Sequence, residues 1–192
     1  MIGLRGPACV LLAALLLGGS IAEAASPGSR SWTVVDVGRS GSHSWVVNVR
    51  RDEGSGRLCV RVGITVKHGP ISFGRSRFRQ CSDDSTRLTA KSPPLLAGGA
   101  LFGRVGSPAM TVLGLVLAPA AHQVRATFSD GTVKTAPARR PTTSQLRKLG
   151  AGEIRYAVIA IRGTRCAERV VSRDSHGKGL GWARGAAGAC GA

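Results

Sequence analysis

Met110 to Ala136, MTVLGLVLAPAAHQVRATFSDGTVKTA, decides the fold class. Met110 to Leu117 is an apolar run bounded by Pro108 and Pro119. It is too short for a stable helix and fits a strand buried on both faces. After a break at Ala118–Ala121 the pattern alternates. Val124, Ala126 and Phe128 fall on one face, and Gln123, Arg125 and Thr127 on the other. Asp130-Gly131 then signals a two-residue hairpin turn flanked by Ser129 and Thr132. That geometry sets Phe128 opposite Val133, with both on the same face.

Downstream, the stretch from Pro137 to Gly152 holds the one helix candidate. Thr142, Thr143 or Ser144 can cap it, Leu146 and Leu149 share a face, and Gly150 suits the position after its end. Ile154 to Arg162 reads as a buried central strand, and Cys166–Arg173 with Lys178–Ala183 as a last hairpin. Upstream, Arg57 to Lys67 shows period 2 over the whole stretch. Leu58, Val60, Val62, Ile64 and Val66 point one way; Arg57, Cys59, Arg61, Gly63, Thr65 and Lys67 point the other. Ile71 to Cys81 is its return strand, with Arg75, Arg77, Arg79 and Cys81 on one parity. Ser31–Val37 and Trp45–Val49 form two earlier strands, and Ala100–Val105 a later one. Asp83 to Gly99, with Pro93-Pro94 and Gly98-Gly99, is a connector. About nine to eleven short strands with turn signals every eight to twelve residues predict an all-β protein. The expected architecture is an antiparallel β-sandwich, immunoglobulin-like or related, with at most one short helix.

The chain opens with a basic end at Arg5, an apolar core from Ala8 to Leu17 and the small-x-small pattern Ala22-Glu23-Ala24. This is a secretory signal peptide over residues 1–24. Residues 25–192 are expected to form a single β-sandwich domain, with the connector 83–99 as the place for a sub-boundary. The expected location is extracellular or associated with the cell envelope. The apolar core falls far short of the roughly 20 residues a membrane-spanning helix needs.

The chain carries 27 Lys+Arg against 10 Asp+Glu, a net charge of +17. The signal contains one base, Arg5, and one acid, Glu23, so its removal leaves the balance unchanged. An Arg-, Ala- and Gly-heavy composition with a surplus for solubility is the plainer account. An anionic partner is the sharper one. Export argues against intracellular nucleic acid as that partner. Past the signal, Cys59, Cys81, Cys166 and Cys190 make an even set, which in an exported chain implies disulfides. Of the three connectivities, Cys59–Cys81 with Cys166–Cys190 keeps each pair within one half of the chain. A metal site is the weaker reading, because no C-x-x-C occurs.

Catalytic patterns are few. His43, His68, His122 and His176 are scattered, and neither a G-x-S-x-G elbow nor a phosphate loop is present. Ser175-His176-Gly177-Lys178 matches S-x-x-K only formally, in an expected hairpin turn. Asp52-Glu53 and Asp83-Asp84 are adjacent pairs, which diverge on an extended chain. No metal or cofactor is expected. Trp32, Trp45 and Tyr156 read as core filler; Trp182, in the exposed last hairpin, is the one aromatic residue to watch. If Cys59 and Cys81 are bonded, the solvent faces of their strands coincide. Arg57, Arg61, Arg75, Arg77 and Arg79 then lie on one basic surface, with Lys67 beside them. A solvated outer face is the plainer account of that cluster.

VLGLVLAPAAHQVRATFSDGTVKTAP, then RYAVIAI, then VVSRDSHGKGLG resembles a group of small exported proteins from bacteria of actinobacterial type. Leu58-Cys59-Val60 and Cys81 are similar to the upstream cysteine pair of that group. The resemblance implies an exported immunoglobulin-like or related sandwich and transfers no activity. The Cys166/Cys190 pair and the basic connector Arg139–Lys148 depart from it. The expectation is therefore a non-enzymatic binding or structural module of the envelope. It would contact an anionic polymer or membrane surface through Arg57, Arg61, Arg75, Arg77 and Arg79. A secreted protein-binding partner or inhibitor, or a hydrolase with an unrecognised site, are the alternatives.

Overall fold

The computed structural model describes residues 31–52, 54–68, 71–82, 88–101, 109–150 and 152–185; side chains at 67–68, 71–78 and 99–101 fall outside that description. The strands are β1 (Thr33–Ser40), β2 (His43–Arg51), β3 (Leu58–His68), β4 (Ile71–Cys81), β5 (Leu95–Leu101) and β6 (Met110–Leu117). They continue with β7 (Gln123–Phe128), β8 (Val133–Pro137), β9 (Arg155–Arg162), β10 (Ala167–Arg173) and β11 (Gly179–Arg184). One helix, α1 (Thr143–Leu149), lies between β8 and β9. The protein is an all-β antiparallel sandwich, built from a β1-β2-β3-β4 sheet, a β5-β6-β9 sheet and a β11-β10-β7-β8 sheet.

Strand β6 explains why there are three layers. Every one of its residues is buried. Met110, Val112 and Val116 join a core with Val47, Val60, Val62 and Ile64 of the first sheet. Leu113, Leu115 and Leu117 join another with Val124, Ala126, Phe128 and Val170 of the third. A strand without a polar face is stable only between two others, so the β5-β6-β9 sheet is the middle layer. Thr111 is fully buried yet satisfied: its hydroxyl donates to Gly163 O at 2.8 Å and accepts from Arg165 N–H at 2.9 Å. Gly114 sets the approach of the first sheet, because a Cβ there would sit 2.7 Å from Val62 Cγ2 and 2.9 Å from Val47 Cγ1.

Strand β3 keeps its expected polarity, with Leu58, Val60, Val62, Ile64 and Val66 all in the core. Helix α1 also follows its sequence signals. Thr142 and Gln145 form a reciprocal capping box, and Gly150 ends the helix in the left-handed region at φ 54°. Gln145 Nε2 donates to Val34 O at 2.7 Å and ties the helix to β1.

Three expectations need correction. The turn after β7 is one residue longer than a two-residue hairpin. Phe128 N–H donates to Thr132 O, Gly131 sits at φ 78°, and Thr127 rather than Phe128 faces Val133. This is the three-residue loop closed by a left-handed glycine. The slip sends Val133 to the outer face, 41% exposed, while Phe128 stays fully buried. Strand β5 begins at Leu95, inside the stretch read as connector. Strand β9 is an edge of its sheet rather than its centre; it is covered by the 138–140 segment through the Arg139–Tyr156 bridge.

Cys59 and Cys81 face each other across β3 and β4 and are disulfide-bonded. Cys166 is disulfide-bonded too; Cys190, its expected partner, lies outside the described residues. The same holds for the signal segment. Among the described residues no helix is long and apolar enough to cross a membrane.

Candidate functional site

The outward face of the first sheet is built by parity. In β2, Val47 and Val49 point to the core, so Asn48 and Arg50 point out. In β3, Cys59 and Arg61 alternate with the core valines. Register then aligns the rows. Arg61 lies opposite Asn48 on one side and Arg79 on the other, and Cys59 lies opposite Arg50 and Cys81. Thr33 pairs with Val49, so Trp32, one residue earlier, continues the ladder beside Arg50 on this outer face.

There the Trp32 ring, half-buried, gathers three guanidinium groups. Their central carbons lie 4.3 Å (Arg61), 4.9 Å (Arg50) and 5.8 Å (Arg79) from the ring centroid. Each cation–π contact is worth about 0.5–1 kcal/mol at an exposed site and ~2 when desolvated. The same crowding sets like charges against one another, at on the order of 1 kcal/mol per close pair in water and more near protein. One indole quadrupole does not neutralise three cations.

The donors are incompletely used. Arg50 Nε is buried and has no hydrogen-bond partner. Arg79 places Nε and Nη2 at 3.4 Å and 3.3 Å from Cys81 Sγ, with Nη2 3.6 Å from Cys59 Sγ. Sulfur is a weak acceptor, so these contacts seat the guanidinium on the disulfide without quenching its charge. The ion pairs among the described residues, Arg139–Asp36 and Arg165–Asp130, involve neither Arg50 nor Arg79. Chemically, Arg50 and Arg79 are forked donors suited to oxygen acceptors that carry negative charge.

Of the arginines expected on this face, Arg61 and Arg79 are brought together. Arg57 is exposed just ahead of β3, one row beyond Cys59. Arg77 and Arg75 pair with Gly63 and Thr65, which continues the face along β4; their side chains, like that of Lys67, lie outside the described residues. Two participants were missed. Arg50 lies just past Val49, where the second strand was expected to end, although β2 runs on to Arg51. Trp32 was assigned to the core, although its parity with Val34, opposite to buried Thr33 and Val35, places it outside. Trp45 does pack on the core, with its indole Nε1–H donating to Asp36 at 3.4 Å. Tyr156 is buried there as well.

Other concavities among the described residues are small. A cleft of about 180 Å³ is lined by Asp36, Trp45, Arg139 and Tyr156, and one of about 170 Å³ by Leu146, Glu153 and Arg155. Small-molecule sites run to roughly 300–1,000 Å³. Ser42 with His43, and Ser175 with His176, are sequence neighbours whose hydroxyls lie 3.5 Å and 3.3 Å from the rings. Asp174 turns its carboxylate to the N–H groups of His176 and Lys178, which shapes the turn. Among the described residues no group of three or more His, Cys, Asp or Glu side chains is placed to hold a metal ion. No protein-family model, curated protein or solved structure matches the chain.

Proposed function

We propose that the protein is an exported, non-catalytic binding module that holds an anionic polymer of the cell envelope on the outer face of its first sheet. The observation that carries this reading is the gathering of Arg50, Arg61 and Arg79 on Trp32, with Arg50 Nε buried and unpartnered. A carboxylate or phosphate entering the row accepts charge-assisted hydrogen bonds, each worth about 1.5–3 kcal/mol. It also relieves the repulsion between the guanidinium groups. Arg57 is exposed one row beyond Cys59, and register sets the Arg77 and Arg75 positions beside Gly63 and Thr65 at the other end, an extended arrangement that suits a chain of repeating charges better than a single ion. The signal-peptide pattern of residues 1–24 and the net charge of +17 agree with such a partner.

The test is retention of the oxidised protein on immobilised polyanion and on envelopes. Affinity should fall at least about tenfold between low and above-physiological salt, because the Debye length shrinks toward the spacing of the charges. Arg50→Glu with Arg79→Glu should weaken retention by about tenfold or more. Retention unchanged in that double variant, or no retention at any salt, overturns the assignment. Capture by anionic lipid vesicles alone, with no capture by soluble polyanion, would reassign the face to a membrane surface.

A further inference from the structure

The third sheet, β11-β10-β7-β8, also has an outward face. Its core side is set by Val124, Ala126, Phe128 and Val170, with Ser172 buried between β10 and β11. Val171 and Arg173 therefore point out, as do Arg125 in β7 and Trp182 in β11. Register places them in rows. Trp182 lies opposite Val171, which lies opposite Arg125; Arg184 lies opposite Arg169 in the neighbouring row. Strands are about 4.8 Å apart, so these side chains share one patch. Trp182 is 53% exposed, one of the few large hydrophobic side chains left in solvent. Arg169 stands over its ring, 5.5 Å from the centroid. Arg173 donates through Nη1 to Gly177 O at 3.2 Å, while its Nε is buried without a partner. Asp174 is engaged in its own turn, and Glu168 falls at the bulge between Ala167 and Arg169.

We infer that this face is a second site for the same class of polymer, and that its ligand is an acidic glycan. The reasoning rests on the anionic-polymer reading of the first face and adds a chemistry that face lacks. At Trp32 three guanidinium groups occupy the ring. At Trp182, among the described residues, one does, and the residue is about half exposed. An open, rigid aromatic face beside forked donors is complementary to a repeat that presents both an apolar ring face and a carboxylate or phosphate. A sugar acid offers both; a bare polyphosphate offers only charge. The first and third sheets flank the middle layer, so the two faces point away from each other, roughly 20 Å apart at two sheet spacings. One protein molecule then holds two polymer strands and cross-links them.

The test uses the full oxidised chain, purified after signal removal, with oligogalacturonate, polyphosphate and duplex DNA as probes. Calorimetry with a short oligogalacturonate should give two sites per chain, and long polygalacturonate should produce light scattering near equivalence. Trp182→Ala should reduce the stoichiometry from two to one and abolish scattering while retention on polyanion persists. Arg169→Gln, milder at the same place, should weaken the second site by about tenfold. Trp182 is solvent-exposed, so an unchanged thermal melt will confirm that the variants fold. One site in the wild type, unmoved by Trp182→Ala, overturns the second site and leaves the first standing. Loss of all binding in Arg50→Glu with Arg79→Glu, including the Trp182-dependent site, also overturns independent bivalency. Equal stoichiometry and affinity for polyphosphate, or tighter binding of duplex DNA, overturns the glycan assignment. No binding of any probe overturns both readings.

Discussion

Arginines in this protein live in two kinds of place. Arg139 pairs with Asp36 at 3.6 Å, and Arg155 donates to Pro119 O and Ala138 O. Both belong to segments where backbone or carboxylate oxygens come within reach. Arg50 and Arg79 stand instead on the outer face of a sheet, where the backbone oxygens are spent on the ladder and only side chains are near. Their neighbours are an indole, a disulfide and Arg61. The lesson is about position: a net charge of +17 divides into charge the fold uses and charge it leaves over. Removing a residue from the first group should weaken the fold, whereas removing one from the second should weaken only binding.

The largest expected effect tests what holds the second group in place. Arg79 rests on the Cys59–Cys81 bridge, which spans a sequence separation of 22. In the chain-entropy model a loop of that length contributes about 3 kcal/mol. Cys59→Ser with Cys81→Ser should lower the urea-unfolding free energy by about that amount, and polyanion retention should fall with it as Arg79 loses its seat. A change below about 1 kcal/mol would mean that the β3–β4 ladder alone fixes this corner.

A smaller effect carries the comparison itself, through its sign. Arg139→Gln removes the partner of a carboxylate that is only 14% exposed and also accepts from Trp45. It should cost at most about 1 kcal/mol, because the arginine side is open to solvent. Arg79→Gln relieves repulsion around Trp32 and should leave stability level or raise it by a few tenths, roughly 0.5 kcal/mol at most. Retention should move the other way, falling for Arg79→Gln and holding for Arg139→Gln. Two destabilisations of equal size would erase the distinction.

The legible parts of the molecule were those where burial writes a period into the chain. Met110–Leu117 lacks a polar face and proved to be buried on both sides. Leu58–Val66 alternates and proved to be half core. The same alternation put Cys59 and Cys81 on one face, where they are bonded. The number of layers was not legible, since a strand count does not say how strands partition into sheets. Asp130-Gly131 announced a turn but not its length, and one residue of loop moved Val133 to the other face. Strand β5 was masked by Pro93-Pro94 and Gly98-Gly99, which punctuate locally although the glycines pair within a ladder. At the site, parity alone would have placed Trp32 and Arg50 outside. They were missed because a tryptophan beside β-branched residues reads as core, and a double arginine before an acid reads as a turn.

The smallest effect concerns a carboxylate in that longer turn. Asp130 is held below the usual carboxylate range, first by the Thr132 hydroxyl, then by the Thr132 N–H, with the Arg165 guanidinium a lesser cause and partial desolvation opposing them. Its folded-state value is depressed. Its contribution to stability is therefore complete above the unfolded value near 3.9 and disappears as pH falls through the lower folded value. An NMR titration of the carboxyl carbon should show this directly. Thr132→Val removes the hydroxyl, the leading cause, and should raise the midpoint more than Arg165→Gln does. The reverse order would make the arginine the principal partner. This turn would then be the clearest case of charge the fold uses, held by an ion pair rather than by the loop's own hydrogen bonds.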